Sequence, residues 1–127
     1  MNKAFRIAVA GLLLVGGGAS AHHSPLAVFD MKRAVEINGT FSKVNWVNPH
    51  IFFEVAGKDL KGKAATWKFE SQPPAFFARA GLRKKDLIGK VGQPVRVTLN
   101  PAVDGSPIGW AKLFVFQDGT KIQLGGL

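Results

Sequence analysis

The chain has no cysteine and no tyrosine, only three histidines, and 8 acidic residues against 17 basic ones. Each shortage removes a class of chemistry. Without a thiol there is no disulfide, no thiol nucleophile and no thiolate ligand. No G-x-S-x-G elbow is present, and Ser24 beside His23 is adjacency in sequence, which does not make a catalytic dyad. The glycine runs at Gly16–Gly18 and Gly125–Gly126 lie near the two ends of the chain, so neither reads as a phosphate loop. Long hydrophobic runs are also missing: Ile7 to Val15 is too short to span a bilayer comfortably.

That short run has a different reading. Lys3 and Arg6 precede it, Gly16–Gly18 loosens the chain after it, and Ala19-Ser20-Ala21 fits the small-x-small site of a signal peptidase. Residues 1–21 are therefore expected to be a signal peptide cleaved after Ala21, which places the protein in the bacterial periplasm or outside the cell. The absence of cysteine after the run excludes the usual lipoprotein anchor. Removing 21 of 127 residues leaves 106, enough for one small domain that buries roughly 65% of its unfolded surface. Without Lys3 and Arg6, 15 basic residues face 8 acidic ones, a net charge of +7. They are scattered, apart from Arg83-Lys84-Lys85, and read as a solvated surface, with attraction to anionic lipid or polyanions as the alternative. Nucleic acid is not an expected partner of an exported chain, and no transmembrane segment is expected after cleavage.

Apolar residues alternate through most of the rest, the period of half-buried strands. Residues 22–33 read as an extended arm, with Phe29 set to pack on the body, and residues 34–127 as a single barrel domain. Strand one runs from Ala34 to Val47 with a bulge near Ser42-Lys43, and Gly39 inside it marks a bend. Strand two covers His50 to Ala56 and strand three Ala64 to Glu70. One helix follows, with Ser71 as its cap, Pro73 and Pro74 in its first turn and Gly81 at its end; Arg83 to Ile88 adds a short turn. Strand four carries Val95, Val97 and Leu99. Strand five, Ile108 to Gln117, sets Ile108, Trp110, Phe114 and Phe116 on one parity. Asp118-Gly119 then turns the chain into a short last strand, Thr120 to Leu124. Three strands, a helix and two or three more strands predict a mainly β fold, a small five- to six-stranded OB-like barrel with one short helix between strands three and four.

The unusual residues cluster at Asn45-Trp46-Val47-Asn48-Pro49-His50, where proline makes a tight corner between strands one and two. Trp46, Asn48, Glu54 and Trp67 are candidates for a ligand-binding surface, since exposed aromatics on such a barrel stack bases or sugars. Core packing is the default for Trp67, in phase with Phe69, and for Trp110, in phase with Phe114 and Phe116. Glu54 and Glu70 could share a barrel face and act as acid and base, but the default is two solvent-facing strand carboxylates. Cleavage after Ala21 would give His22 a free α-amine able to chelate together with its own imidazole, a unit suited to Cu(II). His50 could supply a third nitrogen and complete a histidine brace, with His23 an alternative or additional ligand; Zn(II) also suits such donors. The competing account is a polar start at His22-His23 and a His50 that bonds a carbonyl at the corner.

His22-His23-Ser24, Phe29-Asp30, Gly39-Thr40, Trp46-x-Asn48-Pro49-His50, Asp104-Gly105 and Gly109 together resemble an uncharacterised family of small exported bacterial proteins. Two departures stand out: Pro25 where an aromatic commonly follows His-His-Ser, and Leu82 where Trp commonly follows the Arg-x-Gly of the helix end. The resemblance brings no established activity. Three functions follow as expectations: an exported binding or accessory domain with a copper site, an interaction module holding an envelope polymer or protein partner on a basic, aromatic face, and an oxidative copper enzyme.

Overall fold

The alternating segments become six strands in a computed structural model that describes residues 24–124. They are β1 (Val35–Asn45), β2 (Phe52–Lys58), β3 (Ala64–Glu70), β4 (Pro94–Pro101), β5 (Ile108–Phe116) and β6 (Lys121–Gln123). β1 pairs antiparallel with β2 on one side and β4 on the other; β2 continues to β3 and β4 to β5. A parallel pairing of Lys68–Glu70 with Ile108–Trp110 closes the ring. The barrel order is β1-β2-β3-β5-β4, with β6 added to β5, the OB-like architecture that the element order predicts.

The barrel is filled by rings. Phe41, Phe53, Phe69 and Phe114 are fully buried, and Phe114 meets Phe53 edge-on at 5.1 Å and Phe41 at 5.6 Å between centroids. Such tilted contacts align ring edges with ring faces and add to the gain from burying apolar surface. Trp67 lies in the same core, its ring stacked on Phe69 and its indole N–H donating to the Lys58 carbonyl at 2.8 Å. Gly39 is required by close approach: a Cβ there would stand 2.4 Å from the Ala56 carbonyl oxygen.

Two bulges decide which residues face inward. Phe41 pairs with Val55 and Lys43 with Glu54, leaving Ser42 as the extra residue where the sequence places a bulge. In β5, Leu99 pairs with Ala111 and Thr98 with Leu113, so Lys112 is extra. The second bulge overturns one expectation. Gly109 and Ala111 are buried on one side of it and Phe114 and Phe116 on the other, so Trp110 points outward and is only half-buried. One inserted residue reverses the parity of everything beyond it.

Two short helices, not one, join β3 to β4: α2 (Pro74–Arg79) and α3 (Lys84–Ile88), preceded in the arm by α1 (Pro25–Val28). Pro73, not Ser71, occupies the N-cap of α2; Ser71 is buried, with its backbone N–H bonded to the Ile51 carbonyl. α2 drives Phe77 into the barrel end against Phe53 and Trp46. α3 forms where a turn was expected because the Asp86 carboxylate accepts from the Arg83 N–H at 2.9 Å, satisfying one of the free donors at its start. α1 likewise replaces the expected extended arm, since proline fits a first helical turn.

Candidate functional site

His50 precedes β2, at the corner where the chain leaves β1, and the Asn48–Pro49 bond within that corner is cis. Its neighbour Ile51 is wholly buried and doubly tied: its N–H donates to the Gln72 carbonyl at 3.1 Å, and its carbonyl accepts from Ser71 N–H at 3.0 Å. Alternation across Ile51 turns His50 to the outside of the barrel. Glu70, the last residue of β3, also faces outward, opposite Phe52 on one side and Trp110 on the other. The His50 Nδ1 meets the Glu70 Oε1, and the indole of Trp110 stands edge-on to the imidazole, 6.3 Å away at 88°. The His50 and Glu70 side chains are 36% and 32% exposed, so the pair is shielded yet reachable.

The N-terminal arm reaches the same wall. Phe29 is buried, bridges to Ala102 and packs on Trp110 at 6.2 Å, as its expected docking on the body requires. The Asp30 N–H donates to the Pro101 carbonyl at 2.8 Å, and the Asn100 amide donates to the carbonyls of Asp30 at 3.2 Å and Arg33 at 2.7 Å. Buried Asn100 therefore holds the arm down at two carbonyls, its amide N–H groups replacing hydrogen bonds to water that burial removes. Phe29 and His50 flank one indole, so their ring centres are no more than 6.2 plus 6.3, or 12.5 Å, apart.

The other sequence candidates disperse. His22 and His23 lie outside the described residues. Trp46 is half-buried against Phe77 and closes the barrel end. Trp67 is a correction to the ligand-surface list: it is 1% exposed, with no face left for a ligand. Asn48 is exposed at the corner, and Glu54 pairs with Lys43 at 3.6 Å. Lys43, Asn45, Phe52, Glu54 and Lys68 line a shallow cleft of about 200 Å³ on the outer wall. His50 bonds a carboxylate rather than the carbonyl that the competing account requires. Glu70 and Trp110 are the site residues that sequence reasoning missed as His50's neighbours. Among the described residues, no group of three or more His, Asp or Glu side chains is placed to hold a metal ion.

These features define a small OB-like barrel with a histidine–carboxylate pair on its outer wall, beside a docked N-terminal arm. The chain belongs to the family of unknown function DUF6152, which it matches over residues 10–111. No curated protein and no solved structure matches it.

Proposed function

We propose that this protein is an exported binding or accessory domain of the bacterial envelope that holds copper between its processed N-terminus and His50. The observation that carries the reading is the shared packing of Phe29 and His50 on Trp110, which anchors the arm beside the only histidine among the described residues. His22 precedes Phe29 by seven residues; with Pro25–Val28 in α1 at about 1.5 Å per residue and the other three extended at about 3.5 Å, they span at most roughly 16 Å, which still exceeds the 12.5 Å limit between the Phe29 and His50 rings. A free α-amine and imidazole on His22 with the imidazole of His50 would give Cu(II) three nitrogen donors in the tetragonal arrangement it accepts.

The test is a copper titration of three proteins: the chain beginning at His22, the same chain with one extra residue before it, and His50→Ala. The extra residue removes the amine–imidazole chelate, and His50→Ala independently weakens binding. If the extension abolishes binding while His50→Ala leaves it unchanged, copper merely decorates the tail; equal weak binding by all three means no site. A second reading is favoured by the outer cleft, where Phe52 is 39% exposed between Lys43 and Lys68. It would take an anionic envelope polymer, with binding that weakens steeply as salt is added.

A further inference from the structure

We infer that Glu70 is a positioning residue: it holds His50 as the Nδ1–H tautomer, so that Nε2 is the nitrogen offered to a metal. This deepens the copper reading and rests on it for the identity of the ligand, but its structural part stands on described residues alone. An ionised carboxylate only accepts hydrogen bonds, so an Nδ1 in contact with Glu70 Oε1 must carry the proton. The neutral ring then has its lone pair on Nε2. Metal-bound histidines characteristically use this arrangement, the second ring nitrogen donating to a carboxylate that fixes orientation and raises ligand basicity.

Both partners are held by backbone. Glu70 is fixed by ladders on two sides, to Phe52 in β2 and to Trp110 in β5. Residues 51 and 71–72 are tied to each other, so the two side chains start from strands that cannot slide independently. Trp110, placed outward by the extra Lys112, stands edge-on to the ring and limits its rotation. The Lys112 bulge thus has a purpose at the site. With uninterrupted alternation back from Phe114 and Phe116, Trp110 would face the core and His50 would lack this wall. Glu70 is a positioning group for that metal rather than its ligand, because its Oε1 meets Nδ1 whereas the metal would sit on Nε2.

Two measurements test this. Long-range proton–nitrogen NMR of the metal-free protein reads the tautomer of His50 directly. The wild type is expected to show Nδ1–H, and Glu70→Ala to shift the ring towards Nε2–H; Glu70→Gln, whose amide oxygen still accepts, should restore most of the wild-type state. Cu(II) titration should then show affinity about 10- to 100-fold weaker in Glu70→Ala, with a smaller loss in Glu70→Gln. An Nε2–H ring in the wild type, or a tautomer indifferent to Glu70→Ala, overturns the role of Glu70 whatever copper does. An Nδ1–H ring in a wild-type protein that takes up no copper overturns the copper reading and leaves the role of Glu70 standing. Loss of copper binding in Glu70→Gln with the tautomer retained would show Glu70 to be a ligand and overturn its positioning role.

Discussion

Trp67 and Trp110 show how one residue type serves two ends of the same barrel. Trp67 is enclosed, with its single polar atom donating to the Lys58 carbonyl, so its whole ring contributes to stability. Trp67→Ala should cost about 3–5 kcal/mol in urea unfolding, the usual loss for a large buried aromatic; a near-neutral change would mean that the ring is not packed as described. Trp110 instead packs against both Phe29 and His50 on the outer wall. The core role of Trp67 can be read from its phase with Phe69. The outward role of Trp110 cannot, because its apparent phase with Phe114 and Phe116 runs through an inserted residue that no spacing rule marks. Glu70 was equally hidden: twenty residues separate it from His50, and only the pairing of β2 with β3 brings them together.

At the level of elements, the alternation of β1 through Ser42 could be followed because Phe41, Val44 and Trp46 resume it with large residues. In β5 the residues around Lys112 are apolar on both parities, so the break leaves no trace in the pattern. The β5–β6 hairpin, signalled by Asp118-Gly119, is fastened to the loop after α3 by Lys90, which donates to Asp118 and, at 2.8 Å, to Thr120 Oγ1. The hydrogen bond from Lys90 holds the Asp118 carboxyl down to about 2, with further help from Thr120. A carboxyl lowered on folding stabilises the protein above its unfolded value, about 3.9, and that contribution is lost as pH falls through about 2. Between about pH 4 and 2 the wild type should therefore lose stability faster than Asp118→Asn in denaturant titrations. Parallel pH curves for the two proteins would remove the Lys90–Asp118 tie from the account.

Over the whole molecule, the fold assembles its outer site from distant parts of the chain. The arm is latched by Asn100, the corner by Ile51 and Ser71, and Glu70 by the seam where β3 and β5 close the barrel. Strand order and the barrel class were accessible because period-two alternation survives in most segments and the helical interruption falls between the third and fourth strands. The site was accessible only as His50 at a proline corner; its carboxylate and its aromatic wall depend on closure of the ring. The proposed copper site joins the processed N-terminus to His50. Pulsed electron paramagnetic resonance of the copper-loaded chain beginning at His22, compared with His50→Ala, counts the coordinated imidazoles directly. The account predicts that the variant loses one coupled imidazole while the His22 chelate persists; an unchanged imidazole count in His50→Ala would contradict it.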